Sequence, residues 1–270
     1  MKPRDLSRPP LAYKDDEFLE SEEARPVRIL AEYLEPLRTF QREGVHGTVV
    51  FFGSARLSEE GPLGRYYREA RELARLISSW SQSLPSHAHH YIVCSGGGGG
   101  IMEAANRGAH DAGGRTIGLN IGLPHEQKPN PYLTPELSFE FHYFFMRKLW
   151  FAHLARALVV FPGGFGTLDE LTELLTLQQT HKLDRKVPIF LYGSAYWKEV
   201  INFEALVRHG MIGREDLELF QFVDDPQSAL AALQAQLVLE TARATQAAAS
   251  GATEPAPAFA RSKKPPSEPR

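Results

Sequence analysis

The stretch PGGFGTLDELTELL, residues 162–175, sets Gly163, Gly164 and Gly166, a threonine and two adjacent acids directly after the apolar run ALVVF. Gly163, Gly164 and Gly166 let the main chain approach a ligand closely. Where such a turn opens a helix, the free N–H groups and the helix dipole favour an anion such as phosphate. Thr167 is placed to cap that helix or to offer its hydroxyl to a phosphate oxygen. Asp169 and Glu170 leave a helix roughly 100° apart, so only one of them need face a ligand. A carboxylate beside a bound sugar phosphate can stabilise a developing cation or activate water. Spacing alone equally fits a tight turn before a capped helix, with Asp169 favouring the helix's positive end. Upstream, HYFFMRKLWF holds Arg147 and Lys148 among Phe144, Phe145, Met146, Leu149, Trp150 and Phe151, which leaves little room for a solvated basic face. Arg147 offers a planar fork suited to phosphate or carboxylate and is a poor proton donor near neutral pH.

The other glycine cluster, SGGGGG at 95–100, invites a dinucleotide reading that fails on inspection. G-x-G-x-x-G started at Gly96, Gly97 or Gly98 puts Ile101, Met102 or Glu103 where the third glycine belongs. No Gly-Lys-Ser or Gly-Lys-Thr occurs, which removes a Walker-type triphosphate loop. Phosphate at a helix N-terminus survives as the reading. HAHHY at 87–91 lacks a separated further ligand and reads as surface histidines. Cys94 ends an apolar run and reads as a small apolar residue rather than a nucleophile.

Strands and helices must position these residues. TVVFFGSAR, YIVCSGGGGG, TIGLNIGLP, ALVVFPGGFG and VPIFLYGS are apolar runs that end in glycine or serine, and segments such as GRYYREARELARLISSW and GIMEAANRGAHDAG follow with helical spacing. Strands alternating with helices predict an α/β fold, a parallel sheet covered on both faces, with ligands at the carboxyl ends of the strands where the glycine turns lie. With 270 residues, 43% hydrophobic and 23% charged, the chain can bury one sizeable core. Residues 1–20 are polar and proline-rich and are expected to be loosely ordered. Residues 21–45 read as a helical extension with Val27, Leu30, Leu34 and Leu37 at helical spacing, Ser21 as its cap and Pro36 expected to kink or end it. The α/β domain is expected over 46–235, and 236–270 as the end of a last helix and a disordered tail.

A formal net charge of -3 gives no electrostatic case for nucleic acid or an anionic membrane as partner. The single cysteine removes an intrachain disulfide framework and a multi-cysteine zinc site. Charges and prolines at the N-terminus, and no run of 18 apolar residues, make a cytoplasmic location the expectation.

FFGSAR, SGGGGGIMEAANRGAHDAGG, FMRK and PGGFGTLDE in this order resemble the LONELY GUY (LOG) family, whose members were long labelled lysine decarboxylases. The resemblance covers roughly residues 25–235. It implies a Rossmann-like fold, a homodimer or larger assembly, and hydrolysis of the N-glycosidic bond of a nucleoside 5'-monophosphate, AMP or a cytokinin riboside monophosphate, to free base and ribose 5-phosphate. No metal or organic cofactor is implied. Carried over by motif position, the catalytic residues are Arg147 and Glu170. Substrate and phosphate contacts are Ser54, Gly98, Lys148, Gly163, Gly164, Phe165, Gly166, Thr167 and Thr176, and Glu126 in LPHEQKPNPYL matches a substrate-contacting glutamate. Cleaving a bond from a ribose carbon to a base nitrogen develops oxocarbenium character, which a carboxylate at Glu170 would stabilise with water as nucleophile.

The competing expectation is a non-catalytic protein that binds a phosphate-bearing ligand, since the same fold resembles the molybdenum cofactor carriers. Arg147 and Glu170 together within the motif favour the enzyme. A literal lysine decarboxylase would need a pyridoxal phosphate lysine, and Lys148 beside Arg147 reads better as a phosphate contact.

Overall fold

The computed structural model describes residues 10–85, 91–122, 128–183 and 185–249. Glu126, the histidines of HAHHY and the expectations for residues 1–9 and for the tail after Ala249 lie outside the described residues. Seven parallel strands, β1 (Thr48–Phe52), β2 (Ile92–Ser95), β3 (Thr116–Ile121), β4 (Ser138–Phe141), β5 (Ala155–Val160), β6 (Ile189–Tyr192) and β7 (Phe220–Val223), form one sheet in the order β4-β3-β2-β1-β5-β6-β7. The helices are α1 (Asp16–Leu19), α2 (Arg25–Arg42), α3 (Gly64–Ser83), α4 (Ile101–Asp111), α5 (Phe144–Leu154), α6 (Phe165–Gln179), α7 (Ser194–Val200), α8 (Phe203–Arg208) and α9 (Pro226–Ala249). None of them is long and apolar enough, among the described residues, to cross a membrane. The architecture is the Rossmann-like α/β sheet expected from the alternating strand and helix patterns.

Period-two alternation divides the core between the two faces of the sheet. Val50, Phe52, Leu158 and Val160 point to one side, where α2, α5, α6 and α7 supply Phe40, Trp150, Leu171 and Trp197. Val49, Phe51, Ala157 and Val159 point to the other, against Tyr66, Leu73, Ile101, Ala105 and Leu233 of α3, α4 and α9. The five strands anticipated from apolar runs are all present. The sequence pattern passes over β4 and β7, the two edge strands, each four residues long. Their alternating exposure makes a short and weak apolar signal.

Helix α2 corrects the expected face. Val27, Leu30 and Leu34 are exposed, while Ile29, Tyr33, Leu37 and Phe40 pack on the core. The N-cap position is Ala24 rather than Ser21, and the helix continues through Pro36 to Arg42.

The strand order reverses between β1 and β5, and the turns after β1, β2 and β5 meet there. Ser54 joins all three: its N–H donates to the Pro162 carbonyl at 3.0 Å and its own carbonyl accepts from Ile101 N–H at 3.1 Å. Gly97 (φ 73°) and Gly100 (φ 65°) take the left-handed backbone that the turn after β2 requires. A Cβ on Gly100 would also collide with the Ser54 carbonyl, whereas Gly113 (φ 69°) has nothing nearby. Gly113→Ala is therefore expected to destabilise by about 1 kcal/mol from backbone strain alone, and Gly100→Ala by at least about 1 kcal/mol more through overpacking. Denaturant midpoints check this, and equal losses would contradict the tight junction of the turns.

Candidate active site

The cleft at this switch point has a volume of about 990 Å³ and is walled by the loop Gly53–Ser58, by Pro62 and Leu63, by Met102 and by the turn Pro162–Leu168, with Arg147, Glu170 and Tyr196 also lining it. The C-terminal ends of parallel strands at a reversal of strand order are where open α/β sheets bind ligands.

Arg147 and Glu170 come from α5 and α6 and meet as an ion pair, with Arg147 Nη2 to Glu170 Oε1 at 2.9 Å. Both side chains are nearly closed off from solvent, 11% and 13% exposed, so the pair is desolvated and strongly interacting. The Arg147 guanidinium lies against the rings of Phe144 and Phe151 at 5.4 and 5.6 Å, and its buried Nε has no hydrogen-bond partner among the described residues. Burial pushes the Glu170 carboxyl up to about 7, with the positive charge of Arg147 opposing the rise. Burial lowers the pKa of Arg147, and Glu170 and Asp169 oppose that.

The adjacent acids divide as the helical geometry requires. Glu170 turns inward to Arg147, and the exposed Asp169 accepts a hydrogen bond from Lys148 Nζ at 2.7 Å, with Glu173 of the next turn at 3.2 Å from the same ammonium. Lys148 thus lies along the outer side of α6 and is not among the residues lining the cleft.

The N-cap of α6 is Gly164, and among the described residues no side chain caps the helix. Thr167 is therefore the third helical residue and not the cap, and it is buried. The three glycines differ in their reasons. A Cβ on Gly163 would collide with Thr167 Oγ1, so the fold itself requires glycine there. At Gly164 and Gly166 a Cβ would meet nothing within 4 Å, and both are exposed. The folded chain does not need glycine at those two positions; a ligand lying against the helix start would.

Ser54, Gly163, Gly164, Phe165, Gly166 and Thr167 all line the cleft, with Phe165 92% exposed. Gly98 is held away from it, its carbonyl accepting from Asn130 Nδ2 at 3.1 Å, and Thr176 is exposed, its hydroxyl donating to the Thr172 carbonyl at 2.7 Å. Sequence reasoning missed Tyr196, whose hydroxyl donates to the Gly163 carbonyl at 2.8 Å and braces the glycine turn. It also left unassigned Arg56, Ser58 and Met102. Arg56 stands within the FFGSAR motif, so that signal was readable. Tyr196 lies in a different helix with no motif around it. Cys94 is buried and its thiol pKa is pushed up by burial.

Fold and site define a parallel α/β protein with a glycine-lined cleft over a buried arginine–glutamate pair. The family model described as "Possible lysine decarboxylase" matches residues 102–233. Among curated proteins, the chain is 27% identical over 136 residues to the probable cytokinin riboside 5'-monophosphate phosphoribohydrolase LOG4 of Oryza sativa subsp. japonica, covering 50% of this chain and 58% of that one. It is 31% identical over 124 residues to the cytokinin riboside 5'-monophosphate phosphoribohydrolase LOG3 of Arabidopsis thaliana, covering 45% and 56%. The matches thus span little more than half the length of these relatives. Among solved structures, the Moco carrier protein from Chlamydomonas reinhardtii aligns with a TM-score of 0.49 and 22% identity, covering 72% of this chain and 98% of that one. The sequence matches bear out the resemblance carried by the motifs: over about half its length the chain is similar to curated proteins of the LONELY GUY (LOG) family.

The raised pKa of Glu170 has a consequence for stability. A carboxyl whose folded pKa lies above its unfolded value contributes most below the unfolded value, and that contribution is lost as pH rises through about 7. The Tm difference between Glu170→Gln, neutral throughout, and wild type is therefore expected to move in favour of the variant between about pH 5 and pH 8, by roughly 2–4 °C for each kcal/mol, on top of a pH-independent offset from the Arg147 charge left without its carboxylate. Calorimetry across that range checks it; a constant offset alone would contradict the desolvated carboxyl.

Proposed function

We propose that this protein hydrolyses the N-glycosidic bond of a nucleoside 5'-monophosphate, releasing the free base and ribose 5-phosphate. The observation that carries the reading is the buried Arg147–Glu170 pair at the cleft, one helical turn beyond an uncapped helix start. In this reading the phosphate sits at the N-terminus of α6 against the backbone of Phe165, Gly166 and Thr167, with Ser54 opposite. Glu170 lies four residues past Gly166, about 6 Å further along the helix, which suits the ribose of the same ligand. The bonding pair between C1' and the base nitrogen leaves with the base, water bonds to C1', and the Glu170 carboxylate faces the developing oxocarbenium, takes the water proton and releases it, directly or through solvent, to the departing base nitrogen. Water ends divided between the two products. Arg147 keeps Glu170 ionised and oriented, since a guanidinium is too weak an acid to donate the proton itself. Phosphate held away from the scissile bond provides binding energy for orientation.

Curated relatives named cytokinin riboside 5'-monophosphate phosphoribohydrolase, or probable members of that class, support this reaction class. AMP or an N6-substituted adenosine monophosphate is the substrate in this proposal, and the protein acts in the cytoplasm as a homodimer or larger assembly. The exposed Val27, Leu30, Leu34, Phe144 and Phe145 support self-association, and sedimentation as a monomer at assay concentration would remove that part.

Incubation of the purified protein with AMP, isopentenyladenosine monophosphate, GMP and CMP, without metal, is expected to release free base and ribose 5-phosphate from at least one of them. Tight binding without release would favour the non-catalytic binding protein. Gly166→Ala adds a diagnostic contrast. It is expected to leave stability unchanged or raise it by up to about 1 kcal/mol while raising KM at least tenfold, because the added methyl occupies ligand space. An unchanged KM would move the phosphate elsewhere.

A further inference from the structure

Helix α2 reaches the active site without touching the cleft. The Glu32 carboxylate accepts two successive backbone N–H groups at the start of α5, His142 N at 2.7 Å and Tyr143 N at 3.3 Å. Tyr143 is the N-cap residue of α5 and its own side chain provides no cap, so the negative charge at that helix start comes from 110 residues upstream. The Glu32 backbone carbonyl meanwhile accepts Trp150 Nε1 at 3.0 Å, two turns along the same helix. Tyr33 and Phe40 pack on the Trp150 ring at 5.6 and 5.3 Å between centroids. Between these fixed points, one at the first turn and one at the second, stands Arg147.

We infer that Glu32 is a positioning residue: by clamping the start of α5 it sets the height and rotation at which Arg147 meets Glu170, so the N-terminal helix is a working part of the site. A single residue thus holds α5 through its side chain at one end and its main chain at Trp150, which fixes translation and rotation together. The requirement is geometric. Arg147 Nη2 must stay at 2.9 Å from Glu170 Oε1 although the two helices are carried by different strand connections, and the short α5 has no cap of its own. The kinetic half of this inference rests on the hydrolase reading; the structural half does not.

The test reads Glu170 directly. The charged groups around its carboxyl are Arg147 and Lys148 of α5 and Asp169 and Glu173 of α6, and Cys94 at the end of β2 lies within its electrostatic reach. Displacing Arg147 removes the main charge that opposes the rise in its pKa. The carboxyl is titrated by carbon NMR, assigned with Glu170→Gln, in wild type, Glu32→Ala, Glu32→Asp and Glu32→Gln. Glu35→Ala serves as a control that removes a carboxylate from the exposed side of the same helix, where Glu35 accepts from the Thr39 hydroxyl. Glu32→Ala is expected to raise the Glu170 pKa further and to lower kcat at least tenfold with KM within about twofold. Glu32→Asp, whose shorter side chain cannot span both N–H groups, is expected to do the same more weakly. Glu32→Gln, which keeps one acceptor oxygen for His142 N–H but sets an amide NH2 against Tyr143 N–H and carries no charge, is expected to fall between wild type and Glu32→Ala, and Glu35→Ala to change nothing. A folded Glu32→Ala or Glu32→Asp protein with the wild-type Glu170 titration would overturn the inference, whatever its Tm, because a merely structural role leaves that titration in place. If wild type releases no base from any nucleoside monophosphate, the hydrolase reading fails and the titration still decides the role of Glu32.

Discussion

The ion pair between Arg147 and Glu170 is the constraint around which this molecule is arranged. Two opposite charges taken out of water are stable only when they are held to each other in good geometry, and separating them leaves a buried charge uncompensated. Each partner comes from a different helix, so α5 and α6 must be fixed relative to each other to within a fraction of an ångström. The surrounding structure provides this. Apolar side chains of both helices pack into the same face of the sheet, Phe144 and Phe151 bracket the guanidinium, and Lys148 ties the outer surface of α5 to Asp169 and Glu173 of α6. Burial leaves Glu170 with an elevated pKa, the property expected of a carboxyl that must exchange a proton near neutral pH.

The glycines follow from the same constraint. The turns after β1, β2 and β5 converge so closely above the pair that main chain packs on main chain at Gly100, where a Cβ would meet the Ser54 carbonyl, while the Thr167 side chain excludes a Cβ at Gly163. Other glycines face open cleft, where only a ligand would miss the room. In the proposed reading, stability and binding therefore draw on different members of what reads in sequence as one glycine-rich motif. Tyr196 and Trp197 secure the outer wall, the first through the Gly163 carbonyl and the second through the carbonyls of Val160 and Tyr192.

Much of this was legible in the sequence because central parallel strands are buried on both faces and read as unbroken β-branched and aromatic runs. TVVFF and ALVVF could hardly be anything else. The edge strands SFEF and FQFV are short and half exposed, and nothing in their pattern separates them from loops. In α2, apolar residues occur on both sides of the helix, so periodicity could not say which side meets the core; the contact with Trp150 and Phe139 decides it. The inward turn of Glu170 and the outward turn of Asp169 follow from helical geometry once the neighbour is known, and sequence alone could state only that they part. Lys148 shows the limit of adjacency: beside Arg147 in the chain, it leaves the helix in another direction and finds acids rather than the cleft. Glu32 carried no signal, because a carboxylate that caps a helix 110 residues away looks like any other acid on an exposed helix.

In the proposed reaction Arg147 and Glu170 act as one unit. The most direct measurement is the rate of base release from a nucleoside 5'-monophosphate by wild type, Arg147→Met, Glu170→Gln and the double variant, each shown to be folded. Each single change is expected to lower kcat by about 10²–10³-fold, and the double variant to lose no more than the worse single one, as for residues that work together. Losses that multiply in the double variant, or a folded single variant with the wild-type rate, would contradict it.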